Sequence, residues 1–216
     1  MTLANWATCL LTFSLAVISP GPDFLLVLRT SLKFGSSQGI ATAAGIAGGT
    51  SLWSIGTLAG VLSLLTTRPQ LTFYFHFLGA FFLMLYGIKI LFSVIKTRLS
   101  SPQQSDSEKK YLVLPQNFLS SFSFGLATTT IGNPKAIIFY TLVFVSILPP
   151  HLFITESIIL VLSMIVISFT WFVLISLVAR KKTLVIFYQK YGWLIDSLLG
   201  TVFILLGLSL LFQVIM

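Results

Sequence analysis

Apolar residues fill long stretches of this chain, and the polar positions between them are of two kinds. Short clusters at Gly35–Gly39 and Thr66–Pro69, and the pair Pro149–Pro150, punctuate the apolar runs. One longer polar stretch, Thr97 to Gln116, divides the chain near its middle. The runs themselves are Leu3 to Phe34, Ile40 to Leu65, Leu71 to Ile95, Phe118 to Leu148, Phe153 to Ala179 and Trp193 to Ile215. A helix needs about 20 mostly apolar residues to cross a bilayer, and each run meets that length. The pattern therefore predicts an all-α integral membrane protein with six transmembrane helices. Residues 1–96 form a first three-helix unit, 97–116 a flexible linker and 117–216 a second three-helix unit.

Two runs are too long. The first has 32 residues and the fourth 31, about 48 and 46 Å as continuous helix, against a hydrocarbon core of about 30 Å. Each also contains an interruption that a plain spanning helix should not carry. The first holds Ser19-Pro20-Gly21-Pro22-Asp23 and the fourth Gly132-Asn133-Pro134-Lys135. Proline removes a backbone donor and clashes with the preceding turn, so both helices are expected to break there. Backbone groups freed at membrane depth persist only where protein or a watery cavity satisfies them. An ionisable residue at that depth marks a functional site by default, and Asp23 and Lys135 supply one at each break.

Composition supports the membrane assignment: 56% of residues are hydrophobic and 8% charged, with mean hydropathy +1.00, whereas soluble domains average about 25% charged. A net charge of +8 would fit a nucleic-acid surface if the basic residues clustered on one. Instead they sit at span ends, which excludes that reading and reports topology. With six spans, eleven of the thirteen Lys and Arg residues fall on one side: Arg29, Lys33, Lys89, Lys96, Arg98, Lys109, Lys110, Arg180, Lys181, Lys182 and Lys190. Arg68 falls on the other, and Lys135 is inside. The positive-inside rule then puts the linker in the cytoplasm and both termini outside. The one cysteine, Cys9, excludes a disulfide or dithiol relay within the chain. The first residues lack the basic segment and small-residue cleavage site of a signal peptide.

The two units resemble each other in opposite orientation. Pro22 aligns with Pro134, which sets Asp23 against Lys135. Leu78-Gly79 with Gly87 aligns with Leu199-Gly200 with Gly207. Paired interruptions in inverted units are the signature of transporters whose broken helices mark a midplane site. Asn133 is a good N-cap and Pro134 a good first helical residue, so a half-helix is expected to start there, and Gly21-Pro22 suggests the same for the first unit. Such ends present unpaired N–H groups that suit a carboxylate. The half-helices ending near Ile18 and Thr130 should expose carbonyls that suit an ammonium group. A zwitterionic amino acid matches both. The expected substrate-binding residues are thus Pro20, Gly21, Pro22, Asp23, Gly132, Asn133, Pro134 and Lys135, with an Asp23–Lys135 ion pair as the structural alternative. Glycines at 45, 49, 56 and 60 form small-xxx-small pairs suited to close helix packing. Apart from Asp23 no carboxylate is evident at the midplane, so a neutral, small or aliphatic amino acid is expected.

At these residues the chain resembles the lysine exporter (LysE/RhtB) family of small bacterial inner-membrane amino-acid exporters. The resemblance is carried by "SPGPDFLLVL" with "GIATAAGIAGG" after it, by "FLGAFFLMLYGIKIL" and by "GNPKAIIFY", and it covers nearly the whole chain. It implies amino-acid efflux driven by the proton or membrane potential, with no covalent chemistry and no cofactor. Two other readings compete. A heavy-metal exporter would need clustered soft or imidazole ligands, and Cys9, His76 and His151 are far apart in sequence. A membrane-embedded enzyme would need a nucleophile–base or paired-carboxylate constellation, and only Asp23 and Lys135 offer anything of that kind. The expected partners are the amino-acid substrate and the lipid bilayer, with self-association left open and nucleic acid excluded.

Overall fold

The computed structural model describes residues 1–61, 70–99, 117–148, 152–179 and 182–215. Most of the expected linker, the turn at 66–69, Pro149–His151 and Arg180–Lys181 lie outside them. Among the described residues every regular element is helical. Helix α1 (Leu3–Ile18) and α2 (Pro22–Phe34) meet at a 50° bend. Next come α3 (Ser36–Gly56), which continues as a π-helical turn over Thr57–Val61, and α4 (Gln70–Leu99). Helix α5 (Phe118–Ala127) runs into a π-helical turn, Thr128–Gly132. After Asn133, α6 (Pro134–Ile138) departs at 55° and ends in a π-helical segment, Phe139–Phe144, and one closing turn, Val145–Ile147. Long α7 (Ile154–Val178) and α8 (Lys182–Ile215) complete the chain.

The chain bends at both places where the sequence put an interruption. Proline opens α2 and α6, since its missing N–H would be unpaired at that position anyway. Asn133 caps α6 by accepting the Ala136 amide at 3.2 Å. The last helix is longer than expected. It begins at Lys182 rather than near Trp193, because polar residues mark where lipid ends without stopping a helix.

Among the described residues three helices are long and apolar enough to cross a membrane: Phe73–Lys96, Ile154–Val178 and Tyr191–Phe212. The pairs α1–α2 and α5–α6 each pass when taken together, which allows up to five spans by length and composition. Of the expected second span, Ile40 to Leu65, residues 62–65 lie outside the described ones, and the described part, α3 with its π-helical turn, is not among the five. Its many Gly, Ala, Ser and Thr residues pack against neighbouring helices: Ala41, Thr42, Ala43, Ile46, Ala47, Thr50 and Ser54 are all buried, while Leu52 and Ile55 near its end are exposed.

Small residues set how closely these helices approach. A methyl group on Gly45 would strike the Phe122 carbonyl of α5, and one on Gly125 would strike the Thr42 carbonyl of α3. Likewise Gly87 of α4 and Gly200 of α8 each face the other's carbonyl, and Gly207 lies on Ala80 and Met84. This is the close packing that small residues permit between apolar helices. One core (Phe13, Leu83, Val143, Phe144, Leu160, Met164, Phe203) joins α1, α4, α7 and α8 around the α6 segment. A smaller one (Val27, Ala43, Ile46, Phe172, Ile175) joins α2, α3 and α7. Large apolar side chains on the outer faces, such as Phe81, Phe92, Leu162, Val166, Leu198 and Leu205, are exposed. A surface so apolar is suited to lipid rather than to water.

Candidate functional site

The two bends meet in one place. A narrow cavity lies between them, lined by Ser19 and Asp23 of the first bend and by Thr129, Asn133 and Lys135 of the second. Its walls are otherwise largely apolar and aromatic: Phe13, Ala16 and Val17 of α1, Phe24 of α2, Ile46 of α3, Phe139 and Tyr140 after α6, and Phe172 of α7. The open volume is about 40 Å³. At roughly 10–15 Å³ for each water that is room for about three or four waters, so an amino acid enters only if the walls move apart.

Lys135 crosses from one bend to the other. Its Nζ donates to the carbonyl oxygens of Ala16 at 2.8 Å and Ser19 at 2.7 Å, the last carbonyls of α1, which have no intrahelical partner. Gly21 leaves room for this reach, since a Cβ there would sit 3.0 Å from Nζ and 3.2 Å from Cε. Its backbone is extended (φ −163°), so glycine is needed for space and not for conformation. The carbonyls expected to receive a substrate ammonium are therefore occupied by the chain's own ammonium. An ammonium carries three N–H donors; two are used here, and one remains.

Asp23 opens α2, where the amide dipoles favour a negative charge. It is 8% exposed, and its Oδ1 has no hydrogen-bond partner. Asn133 and Thr129 are its polar neighbours, and Lys135 is close enough for the two charges to interact. The alternative of a direct Asp23–Lys135 ion pair is not what this structure shows, whereas the Met1 ammonium does pair directly with Glu156.

The sequence-derived site residues thus separate into two groups. Asp23, Asn133 and Lys135 line the cavity. Pro20, Gly21, Pro22, Gly132 and Pro134 do not; they lie at the bends, where Pro22 and Pro134 open helices and Gly132 has room for a side chain. Several cavity residues carried no mark in the sequence. The Tyr140 ring stacks on Trp53 (6.0 Å between centroids, 8° between planes), and Trp53 Nε1 donates to the Thr129 carbonyl at 3.2 Å. Thr57 donates to the Tyr140 carbonyl at 3.4 Å. Both acceptors lie in π-helical turns, which loosen the ordinary backbone ladder and recur at functional sites. Thr50 of α3 donates to Ser168 of α7 at 3.3 Å across the cavity.

Hydroxyl and charge contacts tie the protein on either side of this level. Toward the end of α2, Ser31 donates to Ser176 at 3.1 Å, Ser176 to the Ser36 carbonyl at 2.9 Å, and Ser121 to Gln38 at 2.9 Å. At the opposite end, Ser146 donates to the Phe75 carbonyl at 2.7 Å and the Met1 ammonium contacts Glu156. As for a metal, no group of three His, Cys, Asp or Glu side chains comes together among the described residues.

No solved structure matches the chain. Known sequences do. A leucine efflux protein of Klebsiella pneumoniae is 31% identical over 207 residues, covering 93% of this chain and 91% of that protein. A leucine efflux protein of an Enterobacter strain is 34% identical over 129 residues, covering 60% of this chain and 56% of the relative. The family model described as LysE type translocator matches residues 14–214. That match takes in both bends and, from the last residues of α1 onward, the helices around the cavity, and the chain belongs to the LysE type translocator family, a family of transporters and not of enzymes.

Proposed function

We propose that this protein exports a neutral aliphatic amino acid, leucine or one like it, from the cytoplasm across a bacterial inner membrane. The observation that carries the reading is the meeting of Asp23 and Lys135 in one cavity whose remaining walls are mostly apolar. Lys135 suits the substrate carboxylate, Asp23 suits its ammonium, and Phe13, Ile46, Phe139 and Phe172 suit an aliphatic side chain. A cationic side chain would need a second carboxylate, and Asp23 is the one acidic residue lining the cavity. The leucine efflux relatives point the same way. A metal exporter is disfavoured by the carbonyl, hydroxyl and aromatic character of the cavity.

In this reading each bent pair is one broken span and α3 is the sixth, giving two inverted three-helix repeats joined by the 97–116 linker. Support comes from the packing of equivalent elements on each other: α3 on α7, α4 on α8, and one break on the other. The basic residues at span ends put the linker in the cytoplasm and both termini in the periplasm. Export is driven by the proton or membrane potential. The serine ties near Ser31 and Ser176 then close the cytoplasmic side, and the Met1–Glu156 contact closes the periplasmic one, with the cavity between. Substrate enters when one set opens, and its carboxylate draws on the remaining N–H of Lys135.

Everted membrane vesicles test the reading. Energised vesicles bearing the protein should accumulate labelled leucine, and excess lysine should not compete. Accumulation of lysine without leucine would contradict it.

A further inference from the structure

We propose that the Tyr140 and Thr129 hydroxyls, with Oδ1 of Asp23, form the subsite for the primary ammonium of the substrate. The protein would thereby select α-amino acids against their 2-hydroxy and 2-oxo analogues. The inference rests on the export reading above and assigns the atoms that enforce it.

Buried polar atoms are nearly always hydrogen-bonded, and each exception calls for an explanation. Eight side-chain atoms among the described residues are buried without a partner, and four of them belong to residues lining this one cavity: Ser19, Asp23, Thr129 and Tyr140. These residues are 1, 8, 2 and 3% exposed. The remaining four orphans, on Thr12, Thr30, Trp171 and Asp196, line no part of it.

The chemistry of the orphans is complementary to an ammonium. An ionised carboxylate only accepts, and each hydroxyl accepts through its lone pairs, whereas an ammonium offers three N–H groups and accepts nothing. Asp23 Oδ1, Thr129 Oγ1 and Tyr140 Oη provide three acceptors in a cavity small enough for one headgroup to span. Thr129 neighbours the Asp23 carboxyl directly. The Tyr140 hydroxyl lies toward Ser54 and Thr50, but neither completes a hydrogen bond to it.

Tyr140 is held for this task from behind. Trp53 stacks on its ring, and Phe13, Phe139 and Phe144 surround it with centroids 5.4–6.4 Å away. The ring is fixed by packing while its hydroxyl stays unpartnered, an arrangement that costs stability unless a ligand uses the oxygen. Lys135 cannot serve as that ligand. Its two contacts are to Ala16 and Ser19 carbonyls, and its remaining N–H is the one available to the substrate carboxylate.

The test is direct binding by calorimetry to the full chain in lipid nanodiscs, with leucine and with 2-hydroxy-4-methylpentanoate, which has a hydroxyl in place of the ammonium. Wild type should bind leucine at least tenfold more tightly than the hydroxy acid. Tyr140→Phe and Thr129→Val should each weaken leucine about tenfold and leave the hydroxy acid unchanged. Thr129→Ser, which keeps the hydroxyl, should bind leucine as wild type does. The ligand-free melting temperature of Tyr140→Phe should equal or exceed that of wild type, because the oxygen removed has no partner; a purely structural tyrosine would show the opposite. Equal binding of the two ligands by wild type, or unchanged leucine binding in both hydroxyl-deleted variants, would overturn the subsite alone. So would a Thr129→Ser protein as impaired as Thr129→Val. A wild-type protein that binds no aliphatic amino acid would overturn the export reading and the subsite together.

Discussion

The ammonium of Lys135 donates to the carbonyl oxygen of Ser19 at 2.7 Å, joining the second bend to the end of the first helix. The contact places a positive charge at the negative end of α1 and leaves Asp23, four residues beyond Ser19, without a contact ion partner. Each bend thus lacks something that the other, or a ligand, supplies. Under the proposed function, a bound zwitterion would rearrange both at once and so couple occupancy of the cavity to the angle between half-helices.

Gly21 is the position at which that coupling is most simply perturbed, because Lys135 passes over it. Alanine fits its extended backbone, but its Cβ would lie 3.0 Å from Lys135 Nζ, tighter than ordinary packing permits. The Lys135 tip should move and lose at least one hydrogen bond of the charged type, about 1.5–3 kcal/mol. Gly21→Ala is expected to fold, to melt a few degrees lower and to export at least tenfold more slowly. Wild-type flux in labelled-substrate assays would show that this approach has no role.

Asp23 should tolerate an amide better than a methyl group. Asparagine keeps the shape and one acceptor oxygen while removing the charge, whereas alanine removes both. Export should therefore fall in the order wild type, Asp23→Asn, Asp23→Ala, with the last near background. Initial rates from a single vesicle preparation check the order, and equal rates for the two variants would contradict it.

Packing of α3 on α5 leaves no room for side chains at Gly45 or Gly125. Overpacking a core typically costs about 1–3 kcal/mol, and more where backbone must move. Gly125→Val should lower the yield of monodisperse protein in detergent and its melting temperature. Gly132→Ala, at a position with nothing closer than 3.8 Å, should change neither. A stable Gly125→Val protein would mean that the two helices pack otherwise.

Topology is independently testable. If the chain crosses the membrane six times as proposed, eleven basic residues flank one face and Arg68 the other, so a reporter active only in the periplasm should be active when fused at Met216, and inactive when inserted between Gln103 and Gln104. The reverse result would invert the assignment.

Both bends were legible in the sequence because proline, glycine and charge are conspicuous in apolar runs. Pro22 and Pro134 open helices at the expected residues. That Asp23, Asn133 and Lys135 come together at one cavity was legible for the same reason. The place of Tyr140 and Thr129 there was not. A tyrosine among Ile, Phe and Leu, or the middle member of Thr128-Thr129-Thr130, looks like ordinary helix. Which face each presents depends on the π-helical turns at Thr128–Gly132 and Phe139–Phe144, which depart from the 3.6-residue period used to assign faces. The destination of Lys135 was hidden as well. Charge complementarity pointed to Asp23, but the carbonyls at the end of α1 compete for the same ammonium, and only the packing of the two bends brings them within 3 Å.

The most direct test of the account is exchange of labelled leucine by vesicles bearing wild type or Lys135→Ala, with matched amounts of folded protein confirmed by size exclusion. Wild type should show saturable exchange that unlabelled leucine inhibits and lysine does not, and Lys135→Ala should show exchange at background. Undiminished leucine exchange by the Lys135→Ala protein would contradict it.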